Sequence, residues 1–258
     1  MTWDGSSTDF NQSEKLCNAF IVAGGKGSRL GKIGEKTQKC MLNIWDKPIL
    51  YYTIVALKYV GCTDIVISVN YLSEQIIEYF GDGSSFGVRI RYVKQNTKST
   101  YESIYQSLST LSDRILYAHA NILFDYKLLK HMIALGNKSD ESVIAVVDNR
   151  TTTVKHAQVD VDEHGYITRI DLKERNGELP FTFLGIAYYK KSDFIENLQY
   201  DKQNNVICSG MVEKVIQQKM ENGKRTLGYH YMGEWTHIET EADYNRIRNE
   251  NRWEIYSQ

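Results

Sequence analysis

The apolar run Ala19-Phe20-Ile21-Val22, followed at once by Ala23-Gly24-Gly25-Lys26-Gly27-Ser28-Arg29-Leu30, decides how this chain is read. The first segment reads as a buried strand, and three glycines in the four positions 24–27 let the backbone turn sharply off its end. A turn of that kind gathers backbone N–H groups around one point, and Arg29 adds a planar fork of donors. Both features recognise phosphate oxygens, so the loop points to a nucleotide. An ordinary glycine-rich connection is the plainer reading of the same residues.

Two common nucleotide motifs are excluded by spacing. A P-loop needs a glycine five residues before Gly25-Lys26, where Phe20 stands, and a Ser or Thr after the lysine, where Gly27 stands. A dinucleotide fingerprint beginning at Gly25-x-Gly27 would place its third glycine on Leu30.

A second element follows: Thr37-Gln38-Lys39-Cys40-Met41-Leu42-Asn43-Ile44, then Asp46-Lys47-Pro48-Ile49-Leu50 opening a helical apolar pattern. The order GGxGSRL, a short loop, a lysine with an apolar strand, then KPIL and a helix resembles the sugar-phosphate nucleotidyltransferases. The match extends more weakly to about residue 245. The resemblance implies an α/β fold, a Rossmann-like doubly wound mixed sheet in three α/β/α layers. It also implies the reaction, in which an NTP and a sugar 1-phosphate give an NDP-sugar and pyrophosphate for polysaccharide or secondary-metabolite synthesis.

The same resemblance assigns residues. Arg29 and Lys39 take the catalytic positions, Lys39 standing where the family has a lysine flanked by prolines. Ala23, Gly24, Gly25, Gly27, Ser28, Gln95 and Thr100 take nucleotide-binding positions, and Lys173 and Gly185 acceptor-binding positions. Gln95 reads equally as a surface amide, and Lys173 as part of the charged cluster with Glu174 and Arg175. The implied cofactor is Mg2+ or Mn2+, and homo-oligomers, dimers or tetramers, are expected.

The departures from the family pattern are as informative. Its two metal-binding aspartates fall on Asn121 and His237, a neutral amide and an imidazole, which suit magnesium poorly. Three explanations stand side by side at this point: a rewired metal site drawn from His119, Asn121, Asp125, His237 or Glu239; metal carried mainly by the triphosphate; or a protein that binds without turnover. His119 and His237 also fit core or capping histidines with nothing bound. The functional alternatives are therefore a catalytically silent homologue acting as a regulatory subunit and a cytidylyltransferase acting on a non-sugar phosphate.

Along the chain, residues 1–16 are polar and read as an extension, and residues 17–258 as one domain with a nucleotide-binding half (17–125) and an acceptor-binding half (126–258). The patterns predict strands near 18–23, 64–69, 88–93 and 115–118 alternating with helices near 49–60, 72–80 and 100–111. Such alternation of β-branched runs with helical periods gives a mainly parallel sheet covered on both faces. Beyond residue 140 the texture changes to strands near 142–147, 157–161, 166–171 and 181–189, with Asp162-Glu163-His164-Gly165 as a hairpin turn. A helix over 211–221, a strand over 225–231 and a last helix over 239–251 complete the reading.

Composition sets outer bounds. The 258 residues are 42% hydrophobic and carry a formal net charge of −1, so no global field favours nucleic acid or an anionic membrane surface. No apolar run approaches a membrane span and the polar start lacks a signal-peptide order, so a cytoplasmic protein is expected. Cys17, Cys40, Cys62 and Cys208 are scattered and read as reduced, inert thiols.

Overall fold

The structure, a computed structural model, describes residues 18–94, 100–149, 156–171, 179–193, 195–196 and 211–250, without the side chains of 100–104 and 211. Gln95, Lys173, Cys17 and Cys208 lie outside the described residues, as does the side chain of Thr100.

The strands are β1 (Asn18–Ala23), β2 (Asn43–Ile44), β3 (Lys47–Pro48), β4 (Asp64–Val69), β5 (Arg89–Lys94), β6 (Arg114–His119), β7 (Ile122–Phe124), β8 (Ser142–Asp148), β9 (Gln158–Val161), β10 (Ile167–Asp171), β11 (Phe181–Lys190), β12 (Thr226–His230) and β13 (Trp235–His237). The helices are α1 (Gly31–Lys36), α2 (Ile49–Tyr59), α3 (Ser73–Phe80), α4 (Thr100–Ser109), α5 (Lys127–Ser139), α6 (Met211–Glu221) and α7 (Glu241–Asn249).

Among the described residues nine strands share one sheet, in the order β10-β9-β11-β6-β1-β4-β5, with β8 paired to β11 and β12. The β6-β1-β4-β5 stretch is parallel, whereas β11 runs antiparallel to β6, β8 and β9. This is the expected mixed sheet, and its parallel half exists because α2, α3 and α4 carry the chain back between strands.

Period-2 alternation with both faces buried explains the strand composition. In β1, Ala19, Ile21 and Ala23 join the core cluster that holds Leu50, Ile54 and Leu57 of α2 and Leu128 and Met132 of α5. Phe20 joins the opposite cluster, with Leu108 of α4 and Val212, Val215 and Ile216 of α6. Two cores on two faces make three layers.

The chain leaves β1 for β4 and β5 on one side and returns to β6 on the other, so strand order reverses at β1. Ligands of open α/β sheets bind outside the carboxyl ends of strands at such a point. A third apolar cluster of Leu30, Leu42, Ile44, Ile49, Leu123, Ile238 and Ile247 lies under the loops there and fixes them to one another.

Candidate active site

The glycine loop leaves β1 at its carboxyl end and closes through a single 3-10 turn at Ser28–Leu30. Gly27 holds φ +61°, in the left-handed region, and a Cβ on Gly34 of α1 would lie 2.5 Å from the Gly27 carbonyl oxygen. The loop can therefore fold back on α1 only if residue 34 has no side chain. Leu30 anchors the turn in the buried cluster, while Gly25, Lys26, Ser28 and Arg29 stay exposed.

Gln38 sets the position of Lys39. Its buried side chain donates through Nε2 to the Ala23 carbonyl at 2.7 Å and accepts from the Cys40 backbone N–H at 2.6 Å. Its own backbone N–H donates to Gln75 Oε1 of α3 at 2.8 Å. The segment is thus tied to the end of β1, and the Lys39 side chain passes beneath the loop: Cβ atoms added at Gly27 and Gly25 would meet Lys39 Cβ and Cε at 3.4 and 4.0 Å. Cys40 is buried beside it, and burial pushes its thiol up to about 12, so it stays protonated and unreactive.

Both cations meet one carboxylate. Lys39 Nζ is 2.9 Å from Glu239 Oε1, and the Arg29 guanidinium is 2.7 Å from Glu239 Oε2. Glu239 is held just ahead of α7, whose start is a capping box in which Thr240 Oγ1 accepts from the Asp243 N–H while Asp243 Oδ2 accepts from the backbone N–H groups of Glu239 and Thr240.

Asn121 and His237 also converge here, because β13 pairs with β7 in a register that puts His237 opposite Ile122. Asn121 Nδ2 lies 2.8 Å from His237 Nε2, 3.0 Å from the Ile238 carbonyl oxygen and 3.1 Å from Glu239 Oε1. His237 Nε2 lies 3.3 Å from the same carboxylate oxygen. The Asn121 amide therefore turns its nitrogen, a donor, toward the cluster. Magnesium requires oxygen donors in octahedral array, so the pair does not fit that ion. Asp125 is turned elsewhere, accepting from the Lys127 N–H at the head of α5.

Gly185 lies in β11 at φ +94°, inside the stretch where the β11–β8 register shifts. A Cβ there would approach His119 Nδ1 and Ile122 Cδ1 to 2.8 Å. The glycine thus makes room for the His119 ring at the end of β6. Burial pushes the His119 and His237 imidazoles well below the usual histidine range, helped by nearby His156 and Lys39, so both are neutral at pH 7.

Glu239, Gly34 and His156 are the site residues that the sequence reading did not assign. Glu239 had appeared there only as a possible metal ligand. A glycine in a short polar helix, and a histidine 37 positions from one partner and 81 from another, match no spacing motif.

The nucleotidyl transferase family profile matches residues 18–252. The chain belongs to the nucleotidyl transferase family. A glucose-1-phosphate thymidylyltransferase from Xanthomonas campestris pv. campestris (strain B100) is 25% identical over 194 residues, covering 70% of this chain and 63% of that protein. An N-acetylmuramate alpha-1-phosphate uridylyltransferase from Neisseria meningitidis serogroup B is 34% identical over 110 residues, covering 42% of this chain and 48% of that one. The chain thus spans about half to just under two thirds of the length of these relatives. The crystal structure of UDP-glucose pyrophosphorylase complexed with UDP-glucose superposes with a TM-score of 0.73 at 19% identity, over 91% of this chain and 98% of that one, which shows a shared fold. Both relatives carry transferase names.

Proposed function

We propose that this protein transfers a nucleotidyl group from an NTP to a sugar 1-phosphate. A phosphate oxygen of the acceptor attacks the α-phosphorus, the bond from that phosphorus to the bridging oxygen breaks, and pyrophosphate leaves with the electron pair. Such a transfer needs positioning and charge neutralisation more than covalent help.

The observation that carries this reading is the convergence of Arg29 and Lys39 on the two oxygens of one carboxylate beneath the glycine loop. Glu239 there holds the place of an anion. A phosphoryl group entering beneath Gly24, Gly25, Gly27 and Ser28 takes over both cations, and Glu239 then turns aside. Arg29 with the loop amides holds the triphosphate, and Lys39, the less exposed cation, neutralises the charge growing on the α-phosphate. Gln95 and Thr100 serve the nucleotide, and Lys173 and Gly185 the acceptor side. Magnesium or manganese would be carried in by the triphosphate, since Asn121 and His237 offer it no carboxylates. We read the 17–258 unit as a cytoplasmic homo-oligomer; among the described residues, no helix is long and apolar enough to cross a membrane.

The test is pyrophosphate release from a panel of NTPs mixed with sugar 1-phosphates, with magnesium or manganese. Release that requires both substrates is expected. Silence across the panel, with nucleotide binding intact, would overturn the assignment.

A further inference from the structure

We propose that His119, His156 and His237 form a binding site for a borderline transition-metal dication of the zinc class, seated beside the Lys39–Glu239 pair. The three rings come from separate parts of the fold, the end of β6, the approach to β9 and β13, and among the described residues they are the one histidine, cysteine and carboxylate group with metal-holding geometry. One nitrogen from each lies within 4.8 Å of the others. The His119 and His156 ring centres are 4.8 Å apart, and those of His156 and His237 are 4.9 Å apart, both edge to face. A tetrahedral zinc with bonds of about 2.1 Å holds its nitrogens roughly 3.4 Å apart, so modest ring rotations close the set.

Two of the three rings have one nitrogen engaged by a neighbouring oxygen. His156 Nδ1 lies 3.0 Å from the Phe183 carbonyl oxygen, which only an N–H can satisfy, so Nε2 carries the lone pair of the neutral ring. His119 Nε2 lies 3.1 Å from the Tyr117 hydroxyl. His237 Nε2 faces Glu239 Oε1, and its other nitrogen, Nδ1, is buried without a hydrogen-bond partner. Asn121 Nδ2 donates to His237 Nε2 at 2.8 Å, so the metal-free ring carries its proton on the unpartnered Nδ1. An ion entering at Nδ1 displaces that proton, and Nε2 takes one up on the side that faces Glu239 Oε1. A carboxylate behind a ligating imidazole is the usual outer support of such sites.

Three neutral imidazoles select zinc, cobalt, nickel or copper over magnesium. Three protein ligands also leave a fourth position for water or an anionic oxygen.

Untagged protein, stripped with a chelator, is titrated with Co2+ and Zn2+ in the absence of nucleotide. One ion per chain is expected, with the intense visible absorption of four-coordinate cobalt and no competition from a large excess of Mg2+. His156→Ala and His237→Ala should each weaken Co2+ binding by about 100-fold or more, on the scale of losses from site-shell changes, while His131→Ala, away from the cluster, leaves it unchanged. Absence of stoichiometric binding, the weak spectrum of six-coordinate cobalt, or affinity indifferent to His156→Ala would overturn the site. If His237→Ala fails to fold, the wild-type spectrum still decides. The readout needs no turnover, so its failure leaves the transfer reading standing, and the reverse holds.

Discussion

Lys39 Nζ and Glu239 Oε1 are 2.9 Å apart across 200 residues of sequence, and the same carboxylate reaches Arg29 through its second oxygen. The glycine loop, the Lys39 strap and the start of α7 are thereby joined through charge. On the proposed reading, a triphosphate competes with Glu239 for both cations.

Replacing that carboxylate should help the nucleotide. Glu239→Gln is expected to tighten NTP binding in chelator-containing buffer by about 3- to 10-fold, up to the 1.4 kcal/mol that a tenfold change represents. Calorimetric titration checks this, and unchanged or weaker binding would mean that Glu239 does not occupy the phosphate position.

On the proposed reading, Lys39 acts on the transition state more than on the ground state. Lys39→Ala should lower turnover by about 100-fold or more, as expected for losing a donor aimed at developing charge. Nucleotide affinity and the far-UV spectrum should stay close to those of the parent. Turnover equal to the parent in the pyrophosphate assay removes Lys39 from its assigned role.

The Gly27–Gly34 contact makes the loop shape testable without touching a ligand. A methyl at residue 34 would sit 2.5 Å from a backbone oxygen, which cannot rotate away. Gly34→Ala is expected to cost about 1–3 kcal/mol, the usual penalty for overpacking, and to weaken NTP binding together with stability. Urea denaturation and titration read the two effects, and full nucleotide affinity in the variant would show that the loop does not depend on this contact.

Far from the site, buried Lys219 of α6 pairs with buried Asp193, which also accepts from the Ser142 hydroxyl of β8 at 2.6 Å. Removing one partner strands the other charge, so Lys219→Met should cost about 3–5 kcal/mol. Adding Asp193→Leu should recover much of that loss. Additive losses in the double variant would argue against a coupled pair.

Cys40, next to Lys39 in sequence, should be inert. Its raised thiol pKa keeps it protonated at pH 8, so folded protein should resist iodoacetamide there while unfolded protein reacts. Peptide mapping that finds rapid labelling of Cys40 in the native state would mean that the thiol is not sealed in the core.

Much of the fold was legible because its signals are local. The strands β1, β4, β6 and β8 are apolar runs whose two faces are both buried, and α2 and α3 follow breaks that the chain itself marks. The strand-poor stretch 127–139 hid α5, whose buried side, Leu128, Leu129, Met132 and Ile133, is diluted by lysines and polar residues along the helix. The short β7 and β13 were missed because three residues carry no usable period; their ladder exists only through pairing.

The site divides the same way. Glycines that turn and cations that follow them are neighbours in the chain, so Gly24 to Arg29 and Lys39 stand out in the sequence as a candidate site. By itself the sequence determined the doubly wound class, and it marked Gly24 to Arg29 as a candidate phosphate loop and Asn121 and His237 as the residues at positions where the resemblance expects aspartates. Only the tertiary structure decided that Glu239 bridges Arg29 and Lys39, that Gly185 makes room for His119, and that His156 meets His119 and His237. The physical reason is that local turn and helix preferences act over a few residues. Ion pairs and imidazole clusters arise from strand pairing and loop packing between segments 37 to 210 positions apart, whose distances no spacing along the chain encodes.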